Sequence, residues 1–174
     1  MKRYYLTIVF LSLTTLGVLH AQKNRCQTKT DAFDQQVITS YHWSEWFYIE
    51  HKAGIIKAEL EYAYSGVLDV VQSTGTELMF KTENNEVIKV YTSTDSQPTV
   101  KHFGGGKTVV IKTYYRYTFV LNKEDLKKLA NSVVNLIRFP DPVGGFKDLE
   151  AKGYIKKYVN AITDGAKCIQ AIFN

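Results

Sequence analysis

Aromatic and cationic side chains at two places in the chain could form a binding surface. Trp43 and Trp46 belong to a cluster of rings, and Tyr114 stands two residues from Lys112 and two from Arg116. Rings beside hydrogen-bonding or charged groups are typical of surfaces that bind proteins, and a ring flanked by cations can also stack on a sugar. The alternative is that the tryptophans close one end of the core and that a helix covers Tyr114.

Motifs for nucleotide binding and for nucleophilic hydrolysis are not found. The segment Gly104-Gly105-Gly106-Lys107-Thr108 is similar to a phosphate-binding loop, but Lys101 stands where that motif needs its first glycine. Thr108 also opens a predicted strand, whereas the motif must open a helix. No G-x-S-x-G elbow occurs, and no serine has a lysine three residues later. We therefore interpret residues 104–108 as a hairpin loop.

Histidines and carboxylates form no recognisable metal or acid–base motif. His42, His51 and His102 do not stand in an H-E-x-x-H or H-x-H arrangement, which favours ordinary surface histidines. Glu59 and Glu61 would point the same way from one strand, at a separation within the range of about 5 to 9.5 Å seen for glycosidase carboxyls. The sequence supplies no cleft walls around them, so a hydrated polar face is favoured. We expect no metal and no cofactor.

Two cysteines, Cys26 and Cys168, follow the first 21 residues and stand near opposite ends of the chain. In an oxidising compartment an even number of cysteines favours pairing. A bond between them would close a loop of about 140 residues and would stabilise the fold by up to about 5 kcal/mol in the chain-entropy model. The alternative is two unpaired thiols.

The first 21 residues have the layout of a secretory signal peptide. Lys2 and Arg3 form a positive start, residues 6–19 are mostly apolar, and Ala21 closes the segment. A membrane span needs about 20 apolar residues, and residues 6–19 are too few for one. We therefore expect cleavage after Ala21 and a periplasmic or extracellular location. The leader ending in Ala21-Gln22, before a β domain rich in Tyr and Lys, resembles small exported proteins of Bacteroidota. That resemblance covers the first 22 residues and carries over no functional residue.

Charge and size exclude further classes of protein. Without Lys2 and Arg3, the 22 basic side chains become 20 against 17 acidic ones, a net charge of +3. The charge is too even for a nucleic-acid-binding face, since no run of Lys or Arg exceeds two. No later segment is apolar enough to span a membrane. We interpret residues 32–174 as a single globular domain.

The elements that would hold these side chains are mostly β-strands. Apolar and polar residues alternate over 56–64 and over 108–121, and the longer strand has Tyr114 and Arg116 on its polar side. Asn84-Asn85 favours a tight hairpin, because asparagine tolerates a positive φ. Shorter strands are predicted over 67–72, 77–82, 86–92 and 133–139, and loose or loop segments over 22–31 and 93–106.

Two helices complete the pattern. Asn122 is a good N-cap for a short helix that ends near Asn131. Apolar residues at helical spacing predict a C-terminal helix over about 155–173, which Gly153 and Gly165 weaken. We predict an α+β fold, an antiparallel sheet of about six to seven strands with both helices packed on it. A small β-barrel with the C-terminal helix outside it is the alternative.

Taken together, these features predict an exported, non-catalytic binding or interaction domain. Its partner would be a protein or a glycan, bound through Tyr114, Arg116 and Lys112 or through Trp43 and Trp46. A carrier of a small apolar ligand is the alternative, with tyrosine-rich faces lining an enclosed apolar cavity of about 300 Å³ or more. An envelope enzyme is the least favoured function, and ionisable groups with shifted pKa values clustered in a cleft would indicate one.

Overall fold

The computed structural model describes residues 25–105 and 109–173. The predicted leader over residues 1–21 and residues 106–108 of the glycine-rich segment lie outside these ranges. The helices are α1 (Lys123–Asn131) and α2 (Lys156–Gln170), and a 3-10 turn at Gly153–Ile155 precedes α2. The strands are β1 (Cys26–Thr30), β2 (Val37–Trp43), β3 (Phe47–Lys52), β4 (Ile55–Ser65), β5 (Glu77–Thr82), β6 (Val87–Tyr91), β7 (Thr99–Phe103), β8 (Val110–Leu121), β9 (Val134–Pro140) and β10 (Phe146–Glu150).

The strands form two antiparallel sheets. The first has six strands in the order β1-β2-β3-β4-β8-β7, and the second has four in the order β10-β9-β5-β6. This confirms the predicted α+β class and adds a second sheet to it. Within the described residues each sheet ends in two edge strands, so neither forms the barrel that was the alternative. In the same ranges, neither helix is long and apolar enough to cross a lipid bilayer.

The core lies between the two sheets and beneath α2. Phe80 of β5 lies 5.8 Å from Phe119 of β8, and Tyr62 of β4 stacks on Phe139 of β9, with 4.3 Å between ring centroids. The predicted alternation along β4 and β8 is confirmed, because one side of each strand is buried. The buried members of that side are Ile56, Ala58, Leu60, Tyr64, Thr113, Tyr115, Tyr117, Phe119 and Leu121.

Both helices begin and pack as their sequences predict. The side chain of Asn122 accepts a hydrogen bond from the N–H of Asp125 at 2.8 Å, which caps the first turn of α1. Gly153 adopts a φ of 53° in the 3-10 turn before α2. Gly165 does not interrupt α2, which continues to Gln170.

Gly165 is the point of closest approach between α2 and the six-stranded sheet. A Cβ built on it would lie 2.7 Å from Cε1 of Phe47 and 2.9 Å from side-chain atoms of Ile49 and Tyr41. These distances are shorter than van der Waals contact, so glycine is required by packing although it weakens a helix.

We expect Gly165→Ala to destabilise the fold by about 1–3 kcal/mol, because the added methyl group overpacks the core beneath α2. Helix propensity alone predicts the opposite sign, a gain of about 1 kcal/mol. Urea unfolding of the variant, with exposed Asp164→Ala in the same helix as the control, decides between them. A Gly165→Ala protein as stable as the wild type would show that α2 can move away from β3.

Residues 26–30, which were expected to be loose, form the edge strand β1. The strand pairs with β2 from Cys26 opposite Tyr41 to Thr30 opposite Val37. Hydrophobic alternation does not predict β1, because its residues are mostly polar and an exposed edge strand needs no apolar face. The predicted disulfide is confirmed: Cys26 is bonded to Cys168 with 5.8 Å between their Cα atoms, and it attaches β1 to α2.

Three other predictions differ from the structure. Residues 67–72 form a single bridge, Gln72 with Ser96, rather than a strand, and their valines are exposed. The predicted loop over 93–106 contains β7. The hairpin between β5 and β6 has a four-residue loop, residues 83–86, since β5 ends at Thr82 and β6 begins at Val87, although Asn85 has the expected positive φ of 62°.

Candidate binding site

The six-stranded sheet has one face on the core and one face toward solvent, which we call the outer face. α2 packs on the core side, against Tyr41, Phe47 and Ile49. Because side chains alternate along β4 and β8, Glu61, Tyr114 and Arg116 point the other way and are not covered by α2. α2 therefore does not cover Tyr114, which was the alternative considered from the sequence.

Arg116 and Glu61 are direct neighbours across β8 and β4. Nη2 of Arg116 donates a hydrogen bond to Oε2 of Glu61 at 3.1 Å. The Arg116 side chain is 54% exposed, whereas that of Glu61 is 13% exposed. A guanidinium has five N–H donors, so most of the donors of Arg116 remain available to a ligand.

Tyr114 is half-buried on the same face, between two side chains of β7. Nζ of Lys101 lies 4.5 Å from the centroid of its ring, and the ring of Phe103 lies 6.1 Å away. Lys101 also reaches Oε2 of Glu45 in the β2–β3 turn at 3.7 Å. The ring is thus held by packing against Phe103 and by a cation–π contact with Lys101 over its face.

A groove of about 460 Å³ lies beside this ring, and we call it the Arg116 groove. Residues 94–97 form one wall, because the N–H of Ser93 bonds to the carbonyl of Thr118 at 2.7 Å and holds that segment along β8. The groove is lined by Glu61, Asp95, Ser96, Lys101, Tyr114 and Arg116, among others.

Two polar side chains in that wall, those of Asp95 and Ser96, differ in their hydrogen-bond partners. The carboxylate of Asp95 accepts hydrogen bonds from the N–H and the hydroxyl of Thr74, which hold the pKa of Asp95 below its ordinary value. Ser96 is 2% exposed, and its Oγ has no hydrogen-bond partner among the described residues. A buried hydroxyl without a partner is costly.

A second groove of about 410 Å³ lies on the other side of the Arg116–Glu61 pair. It is lined by His42, Tyr48 and Glu59, with Ser40 and Lys29 nearer the β1 edge. Burial raises the pKa of Tyr48, and so, to a smaller extent, does the hydrogen bond that the Tyr48 hydroxyl donates to Glu50 at 2.5 Å. Its phenol therefore stays protonated and can take part in hydrogen bonds as a neutral group.

The other predicted site residues lie apart from this centre. Lys112 shares the outer face but pairs in register with Lys101 and does not line the Arg116 groove. Trp43 is partly buried against the core, with the guanidinium of Arg25 3.3 Å above its ring. The ring of Trp46 is also partly buried and meets that of Tyr158 at 5.7 Å.

Sequence reasoning missed Glu61, Asp95, Ser96 and Lys101 as members of the site. Glu61 could have been found by pairing the alternating patterns of residues 56–64 and 108–121, which places it opposite Arg116. Lys101 lies in β7, in a segment that was predicted as a loop. Ser96 belongs to an irregular segment, and nothing in the sequence marks it as buried.

The outer face presents groups that can bind a ligand non-covalently. Hydrogen-bond donors and acceptors stand on both sides of a ring in an open groove. No group of three or more His, Cys, Asp or Glu side chains in residues 25–105 and 109–173 could hold a metal ion. Comparisons of the chain with protein families, with curated proteins and with solved structures find no match.

Proposed function

We propose that the protein is an exported binding domain that contacts its partner through the outer face, centred on Tyr114 and Arg116. The observation that carries this proposal is the position of α2, which packs on the core side of the sheet and leaves that face open. Export rests on the leader-like sequence, and the Cys26–Cys168 bond agrees with an oxidising compartment.

The packing of the tyrosines supports a surface site over an internal apolar cavity. Tyr115 and Tyr117 are 0% exposed. The hydroxyl of Tyr64 donates to the carbonyl of Pro140 at 2.5 Å, and that of Tyr115 donates to the carbonyl of Val70 at 2.7 Å. The carrier alternative needs these tyrosines to surround a ligand. In the structure, the tyrosine side chains instead fill the space between the two sheets.

The chemistry of the Arg116 groove fits a partner rich in hydroxyl or mixed charged groups. Lys101 and Arg116 are cations, Glu61 and Asp95 are anions, and the ring of Tyr114 lies among them. Such a balanced lining has little net charge to attract a strongly charged polymer. A glycan, stacked on the ring, and a polar protein surface both match it.

Affinity capture with paired variants tests the proposal. Wild-type protein on beads is exposed to envelope and culture-medium fractions, and separately to an immobilised glycan panel. In the double variant Tyr114→Ala with Arg116→Ala, we expect the amount of captured protein or glycan to fall at least tenfold. Two central contacts are removed, and each is worth about 1 kcal/mol or more.

The matched control is Lys123→Ala with Lys127→Ala, two exposed lysines of α1, and it should capture as the wild type does. Urea midpoints of both double variants must stay near that of the wild type. Equal capture by all three proteins would contradict the proposal, since the partner would then bind elsewhere.

A further inference from the structure

One stretch of β4 has no neighbouring strand on one side. β3 pairs with β4 between Ile55 and Leu60, and the next residue, Glu61, donates its N–H to the carbonyl of Trp46 at 2.8 Å. The last four residues of β4, 62–65, pair with β8 on the opposite side. In the described part of the chain no strand continues along the β3 side.

Ala63 directs its main-chain groups toward this open side. Successive residues of a strand point their N–H and C=O groups to opposite sides. Glu61 points its N–H toward β3, so Ala63, two residues later, points its N–H and C=O the same way. Its side chain is half-buried, and the residue lines an open groove. An exposed main-chain pair of this kind is a template for another extended chain.

The groove along this edge has a volume of about 350 Å³ and an aromatic lining, and we call it the aromatic groove. It lies between β4 and the start of α2 and is lined by Trp46, Tyr62, Leu149, Tyr154 and Tyr158, together with Ala63. Its volume falls within the range of about 300–1,000 Å³ usual for ligand sites. Tyr154 is 77% exposed, so a large apolar surface there has no cover among the described residues.

Exposed lysines stand next to the aromatic residues that line this groove. Lys152, Lys156 and Lys157 are exposed and flank Tyr154 in sequence. Lys152 is paired with Glu150, and Nζ of Lys157 lies 5.1 Å from the ring centroid of Tyr158. The carboxylate inside the groove, that of Glu61, is already bonded to Arg116. The charge that Lys156 and Lys157 add beside Tyr154 and Tyr158 is therefore positive and complements an acidic segment.

We propose that the aromatic groove binds an extended, acidic peptide segment that adds a short strand to the free edge of β4. The main chain of the peptide would exchange hydrogen bonds with Ala63, in the position that β3 occupies further along. An aromatic or aliphatic side chain would enter the groove, and a neighbouring Asp or Glu would meet the lysines. Main-chain bonds supply affinity in this mode of recognition, and side-chain pockets supply specificity.

This site overlaps the Arg116 groove at its border but is identified by residues of its own. The outer face uses the Arg116 groove, and the strand-addition site uses the edge of β4. Both include Tyr114 and Glu61, but Ala63 and Tyr154 belong to the edge. The two proposals can therefore fail independently.

Selection from a phage-displayed library of linear heptapeptides on the disulfide-bonded protein tests the proposal. We expect enrichment of sequences that join an aromatic or aliphatic residue to Asp or Glu. With a selected peptide in excess, amide hydrogen exchange at Ala63 should slow at least tenfold. Ala63→Pro should weaken binding about tenfold or more in fluorescence anisotropy, because proline has no N–H to donate.

Ala63→Ser keeps the N–H and is the matched control, which should bind the peptide as the wild type does. Tyr154→Ala removes an exposed ring of the groove and should also weaken peptide binding. This variant tests the proposal if Ala63→Pro does not fold. The proposal is overturned if no peptide is enriched over bare beads, or if bound peptide leaves exchange at Ala63 unchanged. Protection of Ala63 that rises with protein concentration in the absence of peptide would instead identify a second copy of this chain as the occupant.

Discussion

Replacing Cys26 and Cys168 with serine will lower the free energy of unfolding by about 2–5 kcal/mol. The bond closes a loop with a sequence separation of 142 residues, so its removal frees a large part of the unfolded chain. It also releases β1, which is an edge strand of five mostly exposed residues. We therefore expect loss of β1 before the rest of the fold.

Urea unfolding of the double-serine protein, with oxidised wild type as reference, measures this effect. Hydrogen exchange at the amides of β1 reports the local step. Wild type measured with and without reductant provides the control, since reduced wild type should match the double-serine protein. An unchanged urea midpoint would show that the bond contributes nothing to the folded state.

Leu60→Ala will destabilise the fold by about 2–5 kcal/mol. Leu60 is 0% exposed on β4, and it stands between Phe47 of β3 and Tyr117 of β8 in the register of the sheet. Truncation leaves a cavity in the buried core, at a place where three neighbouring strands meet. Neighbouring rings are held by their own contacts and cannot fill it without distortion.

The control is Glu59→Ala, one residue earlier and on the outer face. Its carboxylate pairs with Lys57 at 2.7 Å, with Lys57 40% and Glu59 23% exposed. An ion pair this accessible contributes about 0–1 kcal/mol. If the two variants lost equal stability in urea, β4 would be buried on both faces, contrary to the position of α2.

The sequence pattern was sufficient where one face of a strand or helix is apolar. The alternation along β4 and β8 predicts which residues are inside, and the cap at Asn122 predicts where α1 begins. Such patterns follow from burial, which requires one side of an element to be apolar. The same reasoning placed Tyr114 and Arg116 on a common face that a helix need not cover.

The pattern failed where pairing, rather than burial, holds a segment in place. β1 and β7 are edge strands with few buried side chains, so hydrogen bonds to β2 and β8 define them. Residues 67–72 show the converse error, because a valine-rich run can lie exposed along another strand. Ser96 and Lys101 were missed for this reason, since their roles depend on long-range pairing that no local spacing reveals.

Photo-crosslinking at position 114 tests the central claim most directly. A benzophenone-bearing phenylalanine replaces Tyr114 in one protein and exposed Lys127 of α1 in another, and both are irradiated with envelope and culture-medium fractions. The outer-face account predicts a discrete covalent adduct from position 114 and none from position 127. Adducts from position 127 without any from position 114 would contradict it, because the partner would then contact a different face of the molecule.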